Sequence, residues 1–142
     1  MTEDLRALAQ SIFLKGVAAA EPEAITRDAV QKHIKTFGSR TVHIVATGKA
    51  AIPMMRGALQ ALLTPARNAI AVTNRENLAE LADVEVLPAG HPVPDADGAI
   101  AAQRVMEAVG SLTDDDVLLM LVSGGTSAML PAPADGLSLE DE

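Results

Sequence analysis

The chain has 142 residues, a length typical of one domain, and it contains no cysteine, which excludes a disulfide framework and a thiolate nucleophile. Its net charge of −8 argues against a nucleic-acid partner, because affinity for phosphate backbones depends on Lys and Arg. No apolar run approaches the roughly 20 residues that cross a bilayer, and the N-terminus lacks a signal pattern. We therefore expect a cytoplasmic protein without a membrane partner.

Two helices are predicted first, over residues 4–20 and 24–36, the second ended by Gly38. The first has apolar residues near one face, and both are interpreted as packing elements without chemistry of their own. Apolar runs at residues 41–46, 68–73, 84–87 and 117–122 are typical of buried strands. Helices over residues 51–63 and 96–109 and a helical turn at 78–82 separate these strands. This alternation predicts an α/β fold with a mostly parallel sheet and helices on both faces.

The last strand ends abruptly in Ser123-Gly124-Gly125-Thr126-Ser127. Ligands of open α/β sheets bind beyond the carboxyl ends of the strands, and glycines there let a backbone approach an anion. The segment matches neither the phosphate loop of nucleotide-binding proteins nor the dinucleotide-binding fingerprint. We interpret it as one side of an anion-binding cleft, with a tight turn as the alternative.

Gly48 and Lys49 follow the first strand and precede a helix. Because proline is tolerated only in the first helical turn, Pro53 predicts that this helix begins near Ala51 and leaves Gly48 and Lys49 in the turn before it. A strand, a glycine turn and a helix N-terminus form a geometry that favours anions. Lys49 is therefore either a phosphate or carboxylate contact or a solvated surface lysine.

His91 lies in the segment Gly90-His91-Pro92-Val93-Pro94-Asp95, which the prolines hold extended. A structural role and a catalytic role are both open for it. His43 lies within an apolar strand and is predicted to be a hydrogen-bonded core residue. A zinc site is not expected, since there is no cysteine and the three histidines are widely spaced. Neither Ser123 nor Ser127 has the spacing of a hydrolase nucleophile.

The final residues, Ser138 to Glu142, are typical of a helix start, with a capping serine followed by acids. A domain rarely ends on an unused helix start. We therefore predict that these residues belong to the front part of a longer protein.

Three segments carry a resemblance when they are taken together. They are Thr47-Gly48-Lys49-Ala50-Ala51, the proline segment at residues 90–95, and residues 123–133 leading into 136–141. Their order and spacing resemble the N-terminal part of the glycerate 2-kinase family, the class II glycerate kinases with a C-terminal MOFRL domain. Some members of that family carry the name hydroxypyruvate reductase. The resemblance covers nearly the whole chain.

The resemblance implies a Rossmann-like three-layer α/β/α domain in a kinase that transfers the γ-phosphoryl group of ATP, with Mg²⁺, to the 2-hydroxyl of D-glycerate. Residues 1–142 would be the incomplete N-terminal domain of a two-domain enzyme, inactive without the C-terminal domain that this chain lacks. Lys49 matches the family's active-site lysine and is the candidate catalytic residue. The candidate substrate-binding or nucleotide-binding residues are Gly48, Lys49, His91, Ser123, Gly124, Gly125, Thr126 and Ser127. No residue is assigned to a metal.

Thr126 departs from the resemblance, because a third glycine is expected there. Its side chain would narrow the approach of the loop to phosphate, although its hydroxyl could donate in compensation. Two alternatives stay open: an NAD(P)-dependent hydroxypyruvate reductase, and a non-catalytic module that binds sugar phosphates. A homo-oligomer is also left open, as is the question of which loop takes the nucleotide and which takes the acid.

Overall fold

Four parallel strands form the central sheet of the computed structural model, which describes residues 2–141. The strands are β1 (Thr41–Thr47), β2 (Asn68–Asn74), β3 (Glu85–Ala89) and β4 (Asp116–Val122), in the order β3-β2-β1-β4. β1 is central, and its residue Ile44 is aligned with Ala69 of β2 and Leu119 of β4. The predicted parallel α/β sheet is confirmed.

Helices cover both faces of this sheet. They are α2 (Pro22–Phe37), α3 (Ala51–Ala61), α4 (Ala96–Gly110) and α5 (Thr126–Met129), and a 3₁₀ turn lies at Arg75–Asn77. A further helix, α1 (Thr2–Ala19), precedes them in the chain. Successive strand residues point to opposite faces, so Ile44 packs with α2 and α3 while Val45 packs with α4 and α5. The helices therefore enclose two apolar cores in a three-layer α/β/α arrangement, as predicted.

The predicted packing role of the first helix is wrong within the described residues. Residues 4–19 of α1 are all exposed, and its apolar side chains, such as Leu8, Ile12 and Phe13, are 56%, 63% and 68% exposed. The helical periodicity was predicted correctly, but a periodic apolar face does not specify its partner. None of the helices in residues 2–141, α1 included, is both long and apolar enough to cross a bilayer.

The helical turn predicted at residues 78–82 is also misplaced. The turn lies at Arg75–Asn77 instead, where the Asn77 side-chain amide donates to Asn74 Oδ1 at 2.8 Å and closes it. At the end of the described residues, Ser138 N–H donates to Asp141 Oδ2 at 2.8 Å, and Asp141 N–H donates back to Ser138 Oγ at 3.3 Å. This reciprocal pair has the capping geometry of a helix start, but residues 139–141 form a turn, and the rest of the predicted helix lies outside the described residues.

Candidate functional site

The carboxyl ends of all four strands lie at one edge of the sheet, because the strands are parallel. Lys49 follows β1, Arg75–Asn77 follows β2, His91 follows β3, and Ser123–Ser127 follows β4. We call this the C-terminal edge. The topology therefore brings the candidate residues of three separate sequence segments to the same side of the molecule.

The loops after β1 and β4 are joined directly. Lys49 N–H donates to Gly124 O at 3.0 Å, and Ser123 N–H donates to Thr47 O at 2.9 Å. The Ser123 hydroxyl donates to Thr47 O at 2.9 Å and accepts from Ala50 N–H at 3.0 Å. These bonds continue the pairing of β1 with β4 past the strand ends, so Lys49 adjoins the glycine-rich loop as the sequence predicts.

Two glycines in these loops are required by their geometry. Gly48 has a φ of +100°, and a Cβ there would overlap the backbone and the hydroxyl of Ser123. Gly125 has a φ of +94°, and its Cβ would lie 2.9 Å from His91 Cδ2 and 3.0 Å from Met129 Cε. The short distance from Gly125 to His91 Cδ2 shows that the His91 ring packs on the glycine-rich loop.

The hydroxyls of Ser123 and Thr126 are used within the protein. Thr126 Oγ1 donates to Ser123 O at 2.8 Å and lies 2.9 Å from Thr47 Oγ1. The Thr126 hydroxyl, which was expected to donate to phosphate in place of a third glycine, therefore donates its proton to the backbone of the loop. Ser127, by contrast, is exposed.

At this edge, a cationic side chain and two backbone N–H donors have no hydrogen-bond or ion-pair partner among the described residues. Within residues 2–141, the N–H groups of Gly124 and Gly125 meet no acceptor, and the exposed Lys49 side chain forms no ion pair. The start of α3 is less open than the sequence predicts. Ala50 N–H is taken by Ser123, and Ala51 N–H donates to Gly48 O at 3.1 Å. An anion at this edge would therefore meet the glycine-rich loop rather than the start of α3.

Asp95 organises the segment that carries His91. Its Oδ1 accepts from Gly90 N–H and from Gly98 N–H, both at 2.9 Å, and so closes the His91 loop and caps α4. Its Oδ2 accepts from Arg75 Nη2 at 2.7 Å, and the same nitrogen also contacts Asp97. Burial alone would raise the pKa of Asp95, but the hydrogen bonds from Gly98, Arg75 and Gly90 hold it below its usual value.

Sequence reasoning missed the contribution of the loop after β2. Asn77 donates to Lys49 O at 3.0 Å, and Glu76 accepts from Asn74 at 2.6 Å. Hydrogen bonds from its own backbone N–H and from Asn74 lower the pKa of Glu76, which therefore carries a negative charge near His91. The sequence could have shown this, because the loop also follows a predicted strand. Ligands bind beyond the carboxyl ends of strands, and this applies to the end of β2 as it does to those of β1 and β4.

His43 lies at the opposite edge of the sheet and is buried, as predicted. Its Nε2 lies 3.2 Å from Asp116 Oδ1, and its Nδ1 lies 3.2 Å from Asn68 Nδ2. Both ring nitrogens are thus engaged in the protein. Among residues 2–141, no three His, Asp or Glu side chains come together in a way that could hold a metal ion.

Comparison with known proteins supports the resemblance drawn from the three motifs. The family described as domain of unknown function DUF4147 matches residues 8–142. The chain belongs to the DUF4147 family. It is 34% identical over 140 residues to the D-glycerate 2-kinase of Thermotoga maritima, an alignment that covers 98% of this chain and 33% of that protein.

A solved structure and a second curated protein are also similar to this chain of the DUF4147 family. A crystal structure of glycerate kinase from Thermotoga maritima superposes with a TM-score of 0.85 at 35% identity, covering 98% of this chain and 33% of that one. A protein of Agrobacterium vitis named putative hydroxypyruvate reductase is 31% identical, over 96% of this chain and 30% of its own length. The resemblance to glycerate 2-kinases is confirmed, and the chain spans about a third of the length of the curated relatives it matches.

Proposed function

We propose that this chain forms the N-terminal domain of a D-glycerate 2-kinase, in which it binds an anionic group of the substrate or nucleotide. The observation that carries the proposal is the hydrogen bond from Lys49 N–H to Gly124 O at 3.0 Å. It holds the backbone of Lys49 beside a loop whose Gly124 and Gly125 N–H groups lack acceptors within the described residues. The names of the relatives support glycerate phosphorylation as the reaction that such a site would serve.

The donor set fits a phosphate or a carboxylate. Backbone N–H groups provide directed donors, and a lysine provides a point charge, which is the combination that phosphoryl transfer uses for positioning and charge stabilisation. We propose ATP as the phosphoryl donor and the 2-hydroxyl of D-glycerate as the acceptor. The net charge of −8 makes these local donors necessary, because the overall field of the chain repels an anion.

Mg²⁺ is proposed as the companion of ATP, and we assign none of its ligands to the described residues. Residues 2–141 bring no three carboxylate or histidine side chains together. The role proposed for this chain is thus limited to binding and orienting the anion through Lys49, His91 and the glycine-rich loop. Completion of the site by a second domain, and a cytoplasmic location, belong to the same proposal.

Hydroxypyruvate reduction is a second candidate, because a relative from Agrobacterium vitis carries that name at 31% identity. Assays of the full-length gene product separate the two. The kinase proposal expects phosphoglycerate to form from D-glycerate only when Mg-ATP is present. NADH consumption with hydroxypyruvate, without glycerate phosphorylation, would replace the proposal by the reductase. Binding of sugar phosphates with neither activity would favour a non-catalytic module.

A further inference from the structure

Arg75 links two loops of the C-terminal edge, and neither its position nor its partners were foreseen. Its Nη2 contacts carboxylates from both sides of the start of α4, namely Asp95 at 2.7 Å and Asp97. Arg75 itself lies just after β2. The contact therefore ties the end of β2 to the segment between β3 and α4, which is the segment that carries His91.

We propose that Arg75 is a positioning residue that, through Asp95, holds His91 against the glycine-rich loop so that the imidazole contacts the bound anion. The proposal rests on the proposed function, because it concerns the same anion site. It assigns Arg75 no contact with the substrate. The role of His91 is that of a binding residue beside the Gly125 N–H.

The geometry leads from Arg75 to His91 in two steps. Asp95 Oδ2 receives Arg75, while Asp95 Oδ1 receives Gly90 N–H at 2.9 Å, immediately before His91. The His91 ring then lies against Gly125, where a Cβ would come within 3.2 Å of Nε2. An anion that accepts from Gly125 N–H is therefore within reach of the ring, and a shift of the His91 segment would change that distance.

The chain allows the bridge to be broken without removing the cap of α4. Asp95→Asn keeps Oδ1 as the acceptor for Gly90 and Gly98, but it places an amide NH₂ against Arg75. Arg75→Met removes both contacts from the other side. Arg75→Lys is the rescue variant, because a single nitrogen makes both contacts in the native protein and an ammonium group can do the same.

The matched control is Arg104→Met. Arg104 of α4 forms a similarly exposed ion pair with Glu85 at 2.9 Å, at the start of β3 and therefore at the end of that strand away from His91. If Arg75 only stabilises the fold, Arg75→Met and Arg104→Met should have the same KM and kcat values. The positioning role predicts that only the variant at residue 75 changes the KM for the anionic substrate.

The first experiment is a double-mutant cycle in the full-length gene product, measured as kcat and KM for D-glycerate and for ATP. Arg75→Met is expected to raise the KM of one substrate about tenfold, within the range of coupling between contacting residues, with kcat changed less. In a His91→Ala background the same substitution should change that KM by less than about twofold, because Arg75 is proposed to act by positioning the imidazole, which is then absent. Equal effects in both backgrounds, or no effect in either, would overturn the proposal.

The second experiment does not depend on turnover. Inorganic phosphate is titrated against the protein while the imidazole C–H resonance of His91 is followed by NMR. The half-saturation concentration should rise about tenfold in Arg75→Met and in Asp95→Asn, but remain native in Arg75→Lys and Arg104→Met. A His91 resonance that phosphate does not shift in the native protein overturns the inference. If the native protein phosphorylates no glycerate but this titration behaves as expected, only the proposed function fails.

Discussion

The two edges of the sheet both carry polar residues, but they use them differently. At the N-terminal edge, both ring nitrogens of His43 are bonded, and Asp116 accepts the backbone N–H and the hydroxyl of Thr113, each at 2.9 Å. At the C-terminal edge, the Gly124 and Gly125 N–H groups and the Lys49 side chain have no partner within residues 2–141. The His43 cluster is closed by its own hydrogen bonds, whereas the glycine-rich loop keeps N–H donors without a protein acceptor among the described residues.

The difference separates a polar cluster that stabilises the fold from one that can bind a ligand. Buried polar groups cost free energy unless they are paired, so a closed network such as that of His43 is sufficiently explained by folding. Exposed donors without a protein partner contribute no such closed network, and they are the groups to which an anion would bind. Substitutions at the N-terminal edge should therefore affect stability, and substitutions at the C-terminal edge should affect ligand binding and turnover.

Lys49→Ala should have the largest effect on activity. Removing the cationic side chain from the turn that is hydrogen-bonded to the glycine-rich loop should lower kcat/KM for glycerate phosphorylation by about a hundredfold, the scale of a lost charge-stabilising contact. The stability should stay near native because the side chain is exposed. Lys35→Ala is the matched control, since Lys35 is also exposed but lies in the last turn of α2, which leads to the opposite edge. Near-native turnover by the Lys49 variant would refute its assignment.

His43→Ala tests the N-terminal edge. Because His43 is 7% exposed and the substitution leaves Asn68 and Asp116 without their partner, the free energy of unfolding should fall by about 2 kcal/mol. The KM values of the folded protein should not change. Urea unfolding and steady-state kinetics check the two statements. A change in KM at native stability would mean that the two edges do not divide stability and binding as we infer.

Gly125→Ala and Gly124→Ala compare adjacent positions of one loop. A methyl group at Gly125 meets His91 and Met129 and requires a φ of +94°, whereas one at Gly124 has nothing within 4 Å. The first substitution should lower kcat/KM about tenfold and destabilise the protein by about 1 kcal/mol, the cost of a left-handed residue. The second keeps its N–H and should have little effect on stability. Equal stability losses would contradict the loop geometry.

Local rules were enough to predict part of the site. Pro53 set the start of α3 near Ala51, which placed Gly48 and Lys49 in the turn before it, and the structure has α3 begin at Ala51. His43 could be recognised as a core residue because it interrupts an otherwise apolar strand. The structure also pairs β1 with β4, which brings the two glycine-bearing strand ends together as the proposed anion site requires.

The remainder depends on contacts between residues far apart in the sequence. Arg75 meets Asp95 twenty residues later, and Thr126 meets Thr47 across 79 positions, so no local pattern shows that either side chain is engaged. The same limit applies to α1, whose apolar periodicity was correct while its packing was not. Periodicity reports which face of a helix is apolar, whereas the partner of that face is a property of the tertiary structure.

Asp116→Asn should have the smallest effect, a modest loss of stability at neutral pH that disappears as the pH falls. Hydrogen bonds from the backbone N–H and hydroxyl of Thr113, and then from His43, lower the pKa of Asp116 in the folded protein. A carboxylate with a lowered folded-state pKa stabilises the fold above its unfolded-state pKa of about 4, and this contribution is lost as the pH falls through the folded-state value. The native protein should therefore lose unfolding free energy more steeply below about pH 4 than the variant does.

The measurement is a series of urea unfolding curves between neutral and acid pH, with Asp114→Asn as the control. Asp114 is an exposed neighbour that takes no part in the hydrogen bonds of Asp116, so its variant should keep the native pH profile. If Asp116→Asn also keeps the native profile, the Thr113 and His43 bonds do not favour the charged carboxylate. Because Asp116 begins β4, at the edge of the sheet opposite Lys49 and the glycine-rich loop, glycerate kinetics should be unaffected by Asp116→Asn at neutral pH.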